Sequence, residues 1–228
     1  MITDREAICQ SLADDGWAVL PRVLSSNDCR NVRATWRTST LFRSEVNMAR
    51  HGFGRGTYRY FADPLPDSIQ ALRAGLYPAL AAVANRWADA LGTGQSYPAM
   101  HADYRAKCHA AGQTRPTPLL LRYGPGDWNA LHQDLYGAEV FPLQVAILLS
   151  EPESDFTGGE FVLTEQRPRM QSRAAVVPLR QGDAVVFPVR ERPVQGARGP
   201  YRVQMRHGVS KLHSGERYTL GIIFHDAA

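Results

Sequence analysis

Residues 119–134 read LLLRYGPGDWNALHQD, and this stretch decides how the C-terminal half of the chain is interpreted. The apolar run over 119–123 is typical of a buried strand, and the Gly-Pro-Gly-Asp segment after it predicts a tight turn. We expect β-structure to lead from that turn to His132 and Asp134. Because residues i and i+2 of a strand point to the same side, this His and this Asp are placed to reach one common ligand.

The sequence beyond Asp134 continues as short apolar segments separated by glycine and proline. Their spacing of roughly 8–12 residues is typical of an all-β sandwich or barrel. The segments are 141–149, 158–163, 174–179, 182–187 and 218–225. We therefore predict a mainly β fold, and a double-sheet jelly roll in particular, because two facing sheets enclose a site between them.

The N-terminal half has helical patterns, which are expected to brace one outer face of the sheet. A long helix is predicted from Pro66 to Leu91, with apolar residues at helical spacing. Shorter elements precede it. They are a helix over 4–14 capped by Asp4, a strand over 16–20, and a helix over about 28–38 capped by the segment 25–28.

The chain shows no repeat, low-complexity tract or linker, and we predict a single domain over residues 1–228. Within it, residues 1–118 are expected to supply mostly helical support and substrate-side loops. Residues 119–228 are expected to form the catalytic jelly-roll core.

Two histidines and one carboxylate are the most informative candidate residues. His132 and Asp134 follow the first strand-like run, and His207 precedes the last predicted strand. Two imidazoles and one carboxylate on one face of a metal leave its other face open, which is the facial triad of non-heme Fe(II) oxygenases. A second such triplet, His101-Ala102-Asp103, lies in a polar stretch without a strand before it, and we interpret it as a solvated helix or loop.

Four elements, taken in order, resemble the Fe(II)/2-oxoglutarate-dependent dioxygenases, and most closely their prolyl-hydroxylase-like branch. They are 122–126 leading into His132-Gln133-Asp134, then 158–161, then 182–187, and last 207–209 followed by 215–220. The resemblance extends over most of the chain and is weakest over 39–118. It implies a mainly β double-stranded β-helix (jelly roll) with flanking N-terminal α-helices.

The resemblance also implies roles for single residues. The three candidate ligands would bind Fe(II), and Arg217 would pair with the distal carboxylate of 2-oxoglutarate, a task suited to a planar guanidinium. Tyr123 and, more weakly, Thr219 are candidates for the same pocket. O2 is implied as a further co-substrate, succinate and CO2 as products, and ascorbate as a supporting reductant. Asp134 favours hydroxylation, because halogenating members have a small residue at that position.

Each of these residues also has an ordinary structural interpretation when it is taken alone. His207 is then a hydrogen-bonded core histidine, Arg217 the partner of a core carboxylate, and Tyr123 a packing residue. His213 and His225 match no role in the resemblance, and we assign both to the core.

The substrate is less constrained than the reaction. Hydroxylation of a protein, peptide or amino-acid side chain is the first expectation. The alternatives are oxidation of a nucleic acid or another anionic substrate, and a non-catalytic cupin-like metal-binding or sensing module. The segment 217–223 lacks the Arg-x-Asn-x-Thr-x-Arg pattern of the DNA-dealkylating branch, which argues against repair of alkylated bases.

The basic residues are unevenly distributed. Residues 164–217 contain ten Arg and one Lys against four acidic residues, a net charge of +7, whereas the whole chain carries +4. Within them, 190–202 is predicted to be a loop before the distal His, suited to attract an anionic substrate, including nucleic acid. A general preference for Arg is the alternative, because only two of the 26 basic residues are Lys.

A second candidate substrate element is the glycine- and aromatic-rich segment 52–61. Such a composition suits a mobile loop that covers a site, and an ordinary loop or edge hairpin is the alternative. Our hypothesis is that Arg55, Tyr58 and Arg59 face the metal and select the substrate.

The cysteines and apolar runs indicate the compartment. Cys9, Cys29 and Cys108 have neither the spacing of a disulfide framework nor that of a zinc site. We find no leader-like segment and no apolar run long enough to cross a membrane. We expect a cytoplasmic protein without a membrane partner.

Overall fold

The computed structural model of the protein describes residues 5–228, so the predicted cap Asp4 lies outside the described residues. The described part contains four α-helices, and all of them precede residue 119, where the predicted jelly-roll core begins. They are α1 Arg5–Asp14, α2 Ser26–Ala34, α3 Asp67–Leu91 and α4 His101–Ala110. Three short 3-10 helices are found at Thr35–Arg37, Ser39–Leu41 and Met48–His51. The long helix predicted from Pro66 to Leu91 is thereby confirmed.

Fifteen strands make up the rest of the regular structure in the described part of the chain. They are β1 Ala18–Leu20, β2 Phe42–Asn47, β3 Gly54–Arg55, β4 Thr57–Phe61, β5 Leu119–Tyr123, β6 Trp128–His132, β7 Leu143–Leu148, β8 Phe156–Gly158, β9 Phe161–Gln166, β10 Arg173–Val177, β11 Ala184–Pro188, β12 Glu191–Gly196, β13 Gly199–Val209, β14 Leu212–Gly215 and β15 Arg217–Ile222.

Two antiparallel sheets face each other. The larger sheet has the strand order β1-β11-β7-β15-β5-β4-β2, and the smaller one has the order β10-β9-β13-β6-β3 with β12 paired to β13. A two-stranded sheet of β14 and β8 lies outside both. The predicted mainly β jelly roll with flanking helices is confirmed.

The central strand β7 explains how the layers are held together. It is buried along its whole length. Val145 and Ile147 pack with the helices on one face of the large sheet, whereas Ala146 and Leu148 pack between the sheets. Because burying one Leu, Ile or Val side chain stabilises the fold by about 1.5–3 kcal/mol, the two-sided burial of this strand fixes both layers.

Residues 42–61 contribute strands to both sheets, in addition to the helical support that the N-terminal half supplies. β4 pairs with β5 in the large sheet, and β3 pairs with β6 in the small one. This segment therefore closes one side of the space between the sheets.

The helix predicted over 28–38 begins earlier and ends earlier. Ser25 caps it, since its side chain accepts a hydrogen bond from the Asp28 backbone while the Asp28 carboxylate accepts one from the Ser25 backbone. This reciprocal capping box sets the first turn at Ser26. The α-helix ends at Ala34 and is followed by a 3-10 turn.

The segment 190–202 is a hairpin of β12 and β13, which corrects the predicted loop. Arg192 is fully buried there and binds the Glu165 carboxylate, so this residue does not contribute to a basic rim. The paired hydrogen bonds of the two strands and this buried ion pair hold the segment in the small sheet.

Two histidine assignments also change. His101 lies in a helix, as predicted, but it is buried, with its Nε2 2.9 Å from the carbonyl oxygen of Phe224. His213 is exposed and does not belong to the core. His225 is a core histidine, as expected, and its Nδ1 accepts a hydrogen bond from the Phe141 amide.

None of the helices in the described residues has the length and apolar character needed to cross a membrane.

Candidate active site

Strand register brings the candidate ligands together. His132 ends β6 and is the direct partner of His207 on β13, so the two rings lie on the same side with centroids 4.1 Å apart. Asp134 lies two residues beyond the end of β6, in the loop and not in the strand as expected. Its Oδ1 is 3.5 Å from His132 Nε2 and its Oδ2 is 3.3 Å from His207 Nε2. One ligand atom from each residue lies within 4.8 Å of the other two.

The environment of His132 fits a metal ion. His132 Nδ1 lies 2.7 Å from the carbonyl oxygen of Ala130, to which it donates, so Nε2 keeps its lone pair. A backbone partner of this kind fixes both the tautomer and the orientation of a ligating imidazole. Two imidazole nitrogens and one carboxylate, with no further protein ligand in the group among the described residues, suit Fe(II) with open coordination positions.

The protonation states also fit a cation. Burial raises the pKa of Asp134, but the hydrogen bond and charge of His207, together with the charge of His132, lower it well below its usual range. Burial and the neighbouring charge of His132 lower the pKa of His207. An ionised carboxylate and a neutral imidazole are the forms that bind a metal.

Two further residues contact the ligands, and the sequence does not predict them. The Tyr136 hydroxyl donates to Asp134 Oδ1 at 2.7 Å. The Gln144 amide, which is buried on β7, lies 3.5 Å from His207 Nε2. Tyr136 belongs to no recognisable motif. Gln144 offers a signal, because it is the one polar residue in the apolar strand Leu143–Leu148.

A cavity of about 370 Å³ separates the two sheets at the ligands. Alternate residues of the paired strands β15 and β5 form its floor. One end of this floor is polar and the other end is apolar. The polar end contains Arg217, Tyr123 and Thr219. The apolar end contains Leu119, Ile223, Tyr58 and Tyr136. The three candidate ligands line the same cavity.

Arg217 is the most unusual residue in this cavity. Its side chain is 1% exposed, and its Nη1 donates to the Thr219 hydroxyl at 2.6 Å. Within residues 5–228, no carboxylate forms an ion pair with it, and its Nε has no hydrogen-bond partner. Burial lowers the pKa of Arg217 to about 10, so the guanidinium is still charged at neutral pH. A buried charge of this kind needs an anion to compensate its desolvation.

Tyr123 lies beside this guanidinium, with the Arg217 Cζ 5.6 Å from its ring centroid. The Tyr123 hydroxyl is buried and, like Arg217 Nε, has no hydrogen-bond partner in the described chain. Two unsatisfied donors at one end of a cavity fit a bound carboxylate, since a carboxylate accepts several hydrogen bonds at once.

The three predicted substrate residues are placed differently from one another. Tyr58 lines the cavity. Arg55 is exposed on β3 and pairs in register with Trp128. The hypothesis that all three face the metal is wrong for Arg59. This residue follows Tyr58 on β4, and successive strand residues point to opposite faces. Its guanidinium lies 4.4 Å from the ring centroid of Trp36 and binds Glu45.

Comparison with known proteins identifies the family. The model of an oxygenase family described as catalysing oxidative methylation of damaged DNA matches residues 56–227. The chain belongs to this oxygenase family. An uncharacterised protein of Mycobacterium tuberculosis is 47% identical, and the alignment covers 91% of this chain and 97% of the relative.

Solved oxygenase structures share the fold of this family member. A prolyl-4-hydroxylase of Pseudomonas putida aligns with a TM-score of 0.55 and 15% identity, over 99% of this chain and 100% of the other. A prolyl hydroxylase of Trichoplax adhaerens gives 0.59 and 14%, over 97% and 89%. A 2OG-Fe(II) oxygenase of Burkholderia pseudomallei gives 0.58 and 17%, over 99% and 93%. The fold implied by the sequence resemblance is confirmed.

Proposed function

We propose that this protein is an Fe(II)- and 2-oxoglutarate-dependent oxygenase in which His132, Asp134 and His207 bind the metal. The observation that carries the proposal is that these ligands share a cavity with Arg217, a buried cation without an acidic partner in the described chain. A non-catalytic metal site has no use for such an anchor.

The two ends of the cavity have different roles in this proposal. Arg217 and Tyr123 bind the distal carboxylate of 2-oxoglutarate, and Thr219 orients the guanidinium through its hydroxyl. Bound Fe(II) and 2-oxoglutarate supply the oxidising chemistry, with O2 consumed and succinate and CO2 released. The apolar end beyond the metal excludes water and holds the group to be oxidised.

For the substrate, we favour a damaged base in DNA over a protein or amino-acid side chain. The matching family is described as acting on damaged DNA, and exposed arginines of 164–217 such as Arg198 and Arg206 favour an anionic substrate. The Arg-x-Asn-x-Thr-x-Arg pattern of the DNA-dealkylating branch is absent from 217–223, so in this proposal other residues bind the damaged base. Tyr58 and Tyr136 offer aromatic surface for it at the apolar end.

The test combines a coupled assay with a substrate screen. Protein with Fe(II) and 2-oxoglutarate, with and without ascorbate, is given oligonucleotides that contain methylated bases, and succinate release and oligonucleotide mass are followed. We expect succinate together with loss of the methyl group or gain of one oxygen atom. His132→Ala is expected to abolish both.

Peptide and free amino-acid pools in the same assay separate the alternatives. Oxidation of peptides alone would reject the DNA substrate and keep the reaction class. No succinate with any pool, despite intact Fe(II) binding, would reject the enzyme and favour a metal-binding module.

A further inference from the structure

The connection over residues 48–56, called here the 48–56 loop, contains a 3-10 helix and the short strand β3, and it borders the cavity beside a metal ligand. Gly52 and Phe53 line the cavity. The Ala130 amide donates to the Phe53 carbonyl at 2.8 Å, and the Ala130 carbonyl accepts from His132 Nδ1. One residue therefore connects Phe53 to the imidazole of His132, so whatever binds on Phe53 lies close to the reaction site.

Large apolar side chains are exposed around this loop. Phe53 is 49% exposed and Leu131 is 47% exposed, and both line the cavity. Trp128, which is 40% exposed, pairs in register with Arg55 at the start of β6. His51 stacks on Phe53 with ring centroids 5.4 Å apart and planes inclined by 22°. A cluster of exposed apolar side chains beside a site marks a binding surface.

The charge of the loop indicates the kind of partner. Residues 48–56 contain Arg50, His51 and Arg55 and no acidic residue. Both arginines are exposed, and neither forms an ion pair within the part of the chain that the structure describes. Unpaired cations beside exposed aromatic rings match a single nucleic-acid strand, which offers phosphates and stacking bases at regular intervals.

The backbone holds this surface in shape. Gly54 has a φ of +126°, and a Cβ at that position would lie 2.3 Å from the carbonyl oxygen of Trp128. Only glycine allows the loop to approach β6 so closely. This close approach holds the backbone at Phe53, and the stacked His51 ring supports the Phe53 side chain before a ligand binds, which reduces the entropy lost on binding.

Resting on the proposed function, we propose that the 48–56 loop binds a single strand of DNA at the cavity mouth. Phe53 stacks on a base, and Arg50 and Arg55 contact phosphates. The base next to the stacked one then lies at the entrance of the cavity, within reach of its apolar end.

The test measures the affinity for a fluorescent single-stranded oligonucleotide of about 15 nucleotides. The protein is loaded with Fe(II) and 2-oxoglutarate without O2, and anisotropy is recorded at several salt concentrations. Phe53→Ala is expected to weaken binding about tenfold, whereas Phe53→Trp keeps the affinity. Replacing Arg50 and Arg55 by Gln is expected to lower the salt slope by about 1.4, since each phosphate contact on a single strand contributes about 0.7.

Matched controls come from the opposite edges of the two sheets. Arg22→Gln alters an exposed arginine after β1, and Met170→Ala alters an exposed apolar residue before β10. Both are expected to bind DNA like the wild type.

Two results would overturn the inference. One is oligonucleotide affinity and salt slope that are the same in the loop variants and the wild type. The other is equal weakening of DNA binding by Phe53→Ala and Phe53→Trp. Tryptophan keeps a ring that can stack on a base, so only Phe53→Ala should weaken binding if Phe53 acts by stacking. If the wild type oxidises DNA while either result is found, only this surface is rejected. If the wild type binds and oxidises peptides but not DNA, the proposed substrate is rejected as well.

Discussion

Two buried arginines show how the helix side and the cavity side of the large sheet differ. Arg73 on α3 is fully buried and donates to Asp226 Oδ1 at 2.7 Å and to the Ile223 carbonyl at 2.8 Å. Arg217 on β15 is buried to the same degree, but its one side-chain hydrogen-bond partner in the described chain is the neutral hydroxyl of Thr219. A buried cation with an acidic partner contributes to folding, whereas one without it is available for a ligand.

The largest effect is expected on the helix side. Arg73→Met leaves the Asp226 carboxylate buried with only the weaker partners Arg105 and His109. Removing one member of a buried ion pair costs about 3–5 kcal/mol, and we expect the lower end of that range because of these partners. Urea denaturation measures the change in the free energy of unfolding.

A double variant tests whether the ion pair is the cause. Arg73→Met combined with Asp226→Leu removes both charges and is expected to regain part of the lost stability. If Arg73→Met alone left the free energy of unfolding unchanged, the contrast between the two arginines would not hold.

The second effect concerns the cavity side. Arg217→Met is expected to weaken 2-oxoglutarate binding about 100-fold, because a charge-assisted anchor of the distal carboxylate is lost. The free energy of unfolding without ligand is expected to stay equal or rise, since an uncompensated buried charge has been removed. Anaerobic titration of the Fe(II)-loaded protein gives the affinity, and urea denaturation gives the stability.

Arg217→Lys serves as the conservative control, with intermediate affinity, because an ammonium keeps the charge but not the planar fork. A large loss of stability in Arg217→Met, with unchanged 2-oxoglutarate affinity, would place Arg217 in the same structural class as Arg73.

The sequence predicts a role for one of these arginines and not for the other, for a physical reason. Arg217 stands at a fixed place in an ordered set of motifs, so its position along the chain is enough to imply its role. Arg73 lies in the middle of a helix, and its partner Asp226 is near the C-terminus, so nothing local in the sequence links them. Such pairings follow from tertiary packing, which a pattern along the chain does not contain.

The candidate site shows the same limit. The sequence predicts His132, Asp134 and His207 as one group, and the structure brings them together. The contact of Tyr136 with Asp134 depends on how the loop after β6 turns back, and residue periodicity does not predict it. The hypothesis for Arg59 is wrong because the phase of β4 relative to the cavity is set by its pairing with β5.

The third effect is a pH dependence that arises on the helix side. Burial and the charge of Arg73 lower the pKa of His101 to about 4. Because the unfolded chain then takes up this proton at higher pH than the folded one, stability is present above the ordinary pKa of histidine and is lost as the pH falls towards 4. Between pH 7 and pH 5 the loss from this residue is about 2 kcal/mol.

His101→Gln tests this assignment, because glutamine is able to donate to the Phe224 carbonyl but does not titrate. The variant is expected to lose about 2 kcal/mol less than the wild type between the two pH values. The remaining dependence includes His225, whose pKa is also lowered to about 4, mainly by burial. Parallel pH profiles for variant and wild type would show that His101 is not the group responsible.

The smallest expected effect is on Fe(II) affinity, and it distinguishes Tyr136 on the cavity side of the large sheet from Tyr104 on the helix side. Tyr136→Phe removes the hydroxyl that donates to Asp134 Oδ1, so the carboxylate is free to rotate away from the metal. Loss of such a partner is expected to weaken Fe(II) binding about tenfold. Tyr104→Phe is the control, because its hydroxyl is buried on the helix side with no hydrogen-bond partner in the described chain. A competition titration measures the Fe(II) affinities of both variants. Equal affinities would mean that the backbone after β6 positions the Asp134 carboxylate without the hydrogen bond from Tyr136.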